Sequence, residues 1–184
     1  TCLCAVHWSG GGLPEARSRA YSAVFSWLLE SRAAQRSAAG YPRGFAEAAV
    51  TALALAMLRG SGSQRRTFTR TAAAGALDGL LADRFGERDP GSRRVLASRW
   101  LDFECAGGEF LAAGPRGRLW FRDPMMQAYA AAHALARQRD GAGGWWSVVR
   151  GRFDAPTWFD TLELLPGCLH DVSDGHAHRF FERL

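Results

Sequence analysis

Between Phe45 and Phe121 the chain sets apolar stretches between glycine and proline breaks, in an order that few folds can use. A stretch dense in Ala and Leu, from about Phe45 to Leu58, predicts a helix buried on most sides. Gly60 to Arg66 is a polar loop. Thr67 to Thr71 offers N-caps for a helix running to about Asp83. Gly86 to Ser92 is a turn, and Pro90 is placed to open a helix over about 91–105. Ala106-Gly107-Gly108 stops it. GEFLAAG and GRLWF then flank Gly114-Pro115-Arg116-Gly117, and two short apolar runs around a Gly/Pro turn read as a β-hairpin. Helix, turn, helix, hairpin is the order of a winged helix.

Helical pattern lies on both sides of this segment. Residues 1–8 read as the end of an apolar helix, and Ser9 to Gly12 as a loop. Leu13-Pro14-Glu15 opens the next helix, with Pro and an acid in the first turn. Its Tyr21, Val24, Phe25, Leu28 and Leu29 recur at i, i+3, i+4, i+7, i+8, which predicts one buried face. The basic run Arg32 to Arg43 reads as a connector. Beyond the hairpin, helices are expected at about 124–138, 144–151, 156–170 and 175–184, with a loop at Gly141 to Gly144. Trp145, Trp146, Val149, Phe153, Trp158, Phe159, Leu162 and Leu165 keep helical spacing and are expected to pack in a core. The expectation is a mainly α chain: a helical domain over 1–60, a winged helix with a β-hairpin wing over 61–138, and the start of an α-helical array over 139–184.

The chemistry-bearing residues are sparse. The sequence contains no phosphate-loop, dinucleotide-binding, zinc-protease or nucleophile-elbow motif. Asp102 and Glu104 stand at i, i+2 on a helix and do not face one another, so solvation or pairing with Arg99 is expected rather than acid–base work. His7, His133 and His170 are isolated and read as half-buried helical residues. Cys2, Cys4, Cys105 and Cys168 lack metal or disulfide spacing and read as free thiols of a reducing compartment. Asp171, Asp174, His176 and His178 could bind a metal, yet polar residues at a helix start explain them; no metal is expected. No apolar run approaches the roughly 20 residues of a membrane span. No signal peptide is read, so a cytoplasmic location is expected. Thr1 in place of Met suggests excision from something larger. The charge of +5 is carried by arginine alone and is spread along the chain. It allows a phosphate-binding surface without marking one.

Three stretches carry a resemblance. AVHWSGGGLPEARSRAYSAVFSWLLESR holds His7, Trp8, Leu13, Pro14, Glu15, Arg17, Tyr21, Trp27 and Leu28. RWLDFECAGGEFLAAGPRGRLWFRDPMMQAYAAAHALA holds Phe121, Gln127, Tyr129, Ala130 and Ala131. The third is APTWFDTLELLPGCLHD. In this order they resemble the region that follows the nucleotide-binding domain in NACHT-type signal-transduction ATPases of the STAND class. The chain is similar to bacterial members that also carry a formylglycine-generating (sulfatase-modifying) domain. The resemblance covers nearly all 184 residues.

The resemblance implies a nucleotide-dependent signalling switch, of a kind used in bacterial defence, in which this region has no catalytic activity. ATP or ADP with Mg would be held by a nucleotide-binding domain before Thr1. That domain, and other protomers on activation, would be the partners. In the family a His at the turn after the wing reaches the nucleotide phosphates. Asp123 stands at that position, and an ionised Asp repels phosphate, which puts nucleotide sensing here in doubt. The alternative is a DNA-binding winged helix, with Arg93, Arg94 and Arg99 on the 91–105 helix and Arg116 and Arg118 on the wing touching phosphate. The apolar Val95, Leu96, Trp100, Leu101 and Phe103 predict that this helix is buried on both sides, which favours intramolecular packing. A metal-dependent hydrolase using the His/Asp tail is a weaker third reading.

Overall fold

The computed structural model describes residues 17–60, 67–138 and 144–183. Helix α1 (Arg17–Ser31) is followed by a short α2 (Ala33–Ala38) and by α3 (Phe45–Gly60). Strand β1 (Thr67–Thr69) leads into α4 (Arg70–Phe85) and α5 (Pro90–Gly107). Strands β2 (Leu111–Gly114) and β3 (Arg118–Phe121) form the hairpin. Helices α6 (Pro124–Ala136), α7 (Trp145–Val149), α8 (Phe159–Val172) and α9 (Asp174–Glu182) complete the chain.

The sheet has the order β1-β3-β2, antiparallel throughout, with Phe68 opposite Leu119 and Ala113 opposite Leu119 on the other side. Helix, strand, helix, helix, hairpin with this strand order is a winged helix on a mainly α chain. Local chemistry sets its boundaries. The Thr69 side chain accepts from the Ala72 N–H and starts α4. Asp89 accepts from the Ser92 N–H ahead of Pro90 and starts α5. Gly86 and Gly108, both left-handed, end these two helices.

Two segments differ from the sequence reading. Thr67 to Thr69 pairs as a strand before its last residue caps α4. The Arg32–Arg43 connector contains α2, whose Arg36 is buried against Glu104 of α5. Residues 1–16, with His7, Trp8, Pro14 and Glu15 among them, lie outside the described residues, as do residues 61–66.

One hydrophobic cluster runs through all three segments, from Phe25 on α1 through Leu53 on α3 and Trp100 on α5 to Leu135, Leu165 and Phe180. Helix α6 is its axis and packs against α3 on one side and α8 on the other. Its run of alanines at 128, 130, 131 and 132 is buried, which lets both neighbours approach closely. Met126, Tyr129 and Leu135 face this core. Trp145, Val149, Trp158 and Leu165 are buried as expected, whereas Phe159 is 53% exposed. Helices α1 and α8 meet where Gly167 lies against the Ser18 side chain, a contact that leaves no room for a Cβ. Among the described residues no helix is long and apolar enough to cross a membrane.

Candidate functional site

Helix α5 divides into two faces. Ala97, Trp100, Leu101 and Glu104 point inward and are buried. Arg94, Val95, Arg99 and Asp102 are exposed, and Val95 at 58% corrects the expectation that the helix is covered on both sides. Arg93 does not belong to the exposed set. Its Nε donates to Asp78 Oδ1 at 2.8 Å, and its Nη1 donates to the carbonyls of Glu87 and Arg88. It braces α5 against α4 and the turn between them. Asp102 pairs with Arg70 at 2.6 Å, not with Arg99.

Glu104 also departs from the sequence reading. It is fully buried, and its Oε1 accepts from Arg36 Nε at 2.9 Å. Arg36 Nη2 reaches Glu109 at 3.4 Å, and Nη1 donates to the Leu29 carbonyl at 2.5 Å. Arg32 adds a bond to the Phe103 carbonyl and places its guanidinium 4.0 Å from the centre of the Phe103 ring. The last turn of α5 is thereby fixed to α2. No local pattern marks Arg36 or Glu109, since their partners lie about seventy positions away.

In the wing, Arg116 is exposed and left-handed, with φ 60°, and Gly117 follows at φ 67°. Arg118 donates to Thr67 Oγ1 at 3.0 Å and ties β3 to β1. Arg94, Arg99, Arg116 and Arg118 are therefore the exposed arginines of the expected phosphate-contact set, Arg118 with one N–H spent on Thr67, while Arg93 is engaged within the fold.

At the turn after the wing, Phe121 is buried and the Arg122 N–H donates to the Phe110 carbonyl. Asp123 is the N-cap of α6. Its Oδ1 accepts from the N–H groups of Met125 at 2.8 Å and Met126 at 3.3 Å. Gln127 is half-buried, and its N–H donates to the Asp123 carbonyl. Tyr129 is buried, with ring centroids 5.5 Å from Phe25 and 6.4 Å from Tyr21. Burial pushes its hydroxyl up to about 12. Arg17 pairs with Glu163 at 2.5 Å and reaches Met125 Sδ at 3.7 Å, so it links α1 to α8 and α6. Of the residues carrying the resemblance, Arg17, Tyr21, Phe121, Asp123, Gln127 and Tyr129 thus gather around the first half of α6.

Cys105 and Cys168 are free thiols, raised above their ordinary range chiefly by burial. In the tail, His170 contacts Asp174 at 2.7 Å and His178 contacts Glu182 at 3.2 Å. Among the described residues no group of three or more His, Cys, Asp or Glu is arranged to hold a metal ion. No known protein family, curated protein or solved structure matches the chain.

Proposed function

We propose that this chain is the regulatory portion of a NACHT-type signal-transduction ATPase: helical segment, winged helix and the start of a sensor array, without catalytic activity of its own. The observation that carries the reading is the fusion of the winged helix with its neighbours. Its α5 is locked to α2 through the buried Arg36–Glu104 pair, and its following helix α6 lies between α3 and α8. A module of this kind moves as a rigid body against a nucleotide-binding domain. ATP or ADP with Mg would be held by that domain of the parent protein, in the cytoplasm, and activation would bring further protomers together. Asp123, at the family's phosphate-sensing position, caps α6 instead, so this winged helix would report nucleotide state by packing rather than by a phosphate contact.

Sequencing the coding DNA upstream of Thr1 tests the reading. An in-frame phosphate-loop motif followed by an acidic Mg-binding strand is expected, and a start codon at the boundary would overturn it. The isolated chain should release no phosphate from ATP above blank.

A second reading, DNA binding, draws on the exposure of Arg94 and Arg99 on α5 and Arg116 on the wing. Asp102 on the same face works against it. Fluorescence anisotropy with duplex DNA at two salt concentrations separates the two. Tight binding with a steep salt slope would favour DNA, and none at low salt would exclude it.

A further inference from the structure

A cleft of about 440 Å³ opens between α1, α6 and α8, away from the wing and the α5 surface. Its size falls in the lower part of the range for small-molecule sites, roughly 300–1,000 Å³. Each helix contributes one row of side chains at i, i+3 or i+4 spacing, so the lining is set by three helix faces rather than by loops.

The rows grade from apolar to charged. On α6, Tyr129 is buried and His133 half-buried, and Arg137 at its C-cap is exposed. On α8, Cys168 is buried and Asp171 exposed, and on α1 Arg19 is exposed. The deep end is therefore aromatic and thiol, and the rim carries two guanidinium groups and one carboxylate. Arg137 is partly neutralised by Glu47, 2.6 Å away. Opposite charges on separate helices would hold a dipolar head group better than a simple anion.

The imidazole of His133 stacks on Tyr129, with centroids 5.8 Å apart at 15°, and meets the Phe25 ring at its edge. Its Nδ1 is buried and has no hydrogen-bond partner. Buried polar atoms of this kind normally have one. In either tautomer Nδ1 leaves one hydrogen bond unmade, in a side chain that lines the cleft.

We infer that this cleft binds a free α-amino acid with an apolar side chain. The carboxylate lies between Arg19 and Arg137 within reach of His133, and the ammonium lies at Asp171. The side chain fills the floor between Tyr129 and Cys168. The inference is independent of the regulatory reading above and stands or falls separately from it.

The test uses the whole chain with labelled histidines, followed by NMR. The probes are L-phenylalanine, L-leucine, 3-phenylpropionate and phenethylamine. Both amino acids are expected to shift the His133 ring signals with Kd at or below about 1 mM. The two single-charge analogues should bind at least about tenfold more weakly, as expected for loss of one charge-assisted bond. Asp171→Asn should remove the preference for phenylalanine over phenylpropionate, and Arg19→Gln the preference over phenethylamine. Equal binding of all the probes, or no His133 shift with either amino acid, would overturn the inference.

Discussion

Arg36 and Glu104, 68 residues apart in sequence, meet in the interior with Nε and Oε1 2.9 Å apart. Both side chains are almost wholly buried. Such a pair does little net work compared with a well-packed apolar pair, but either partner left alone is costly. Arg36→Leu should therefore destabilise the protein by about 3–5 kcal/mol. The double substitution Arg36→Leu/Glu104→Leu should recover much of that loss. Urea unfolding of the two variants checks this, and a double variant no more stable than the single one would count against it.

Gly167 sits where α8 crosses the side chain of Ser18 on α1. Gly167→Ala should push the two helices apart and cost about 1–3 kcal/mol. Ser18→Gly in the same chain should reduce that cost, because the obstructing atoms are the Ser18 Oγ and Cβ. Thermal unfolding of the double-mutant cycle measures the coupling.

The wing carries a strained residue in a position glycine would tolerate. Arg116 has φ 60°, a conformation that disfavours L side chains. Arg116→Gly should stabilise the chain by about 0.5–1 kcal/mol. The same variant weakens duplex DNA binding only if the wing reaches a phosphate, so unfolding and anisotropy measured together show what the arginine does.

His133 makes stability depend on pH. Burial, reinforced by the Arg137 cation, holds its folded-state pKa below the ordinary 6.5, while Glu47 and Asp171 oppose the shift more weakly. As pH falls, the unfolded chain takes up the proton first and gains population. The contribution of His133 is intact above pH 6.5 and is lost as pH falls below it toward the depressed folded value. Unfolding free energies at about pH 7.5 and about pH 5.5 should differ less in His133→Phe than in the parent protein.

Much of the architecture was legible because its signals are local. Asp89-Pro90 and Asp123-Pro124 announce the starts of α5 and α6, and Gly108 announces a stop, each through chemistry confined to one turn. The Gly/Pro turn at 114–117 likewise marked the hairpin. What was missed depends on distant partners. Thr67-Phe68-Thr69 is too short to show an alternating pattern, and its strand character comes from β3, about fifty positions on. Val95 reads as apolar core but lies on the outer face of α5, because Trp100 and Leu101 set which side faces inward. Glu104 pairs with Arg36 rather than Arg99, and periodicity carries no trace of that choice. Nor could the three rows that line the α1–α6–α8 cleft be brought together before the helices were placed.

Asp123 holds the first N–H groups of α6 with its own carboxylate. Helix starts attract anions, and here the anion is tethered to the chain. A side chain fixed within a hydrogen bond of its target acts at an effective concentration that a free solute rarely matches. Any phosphate approaching this helix end meets a resident competitor that cannot diffuse away.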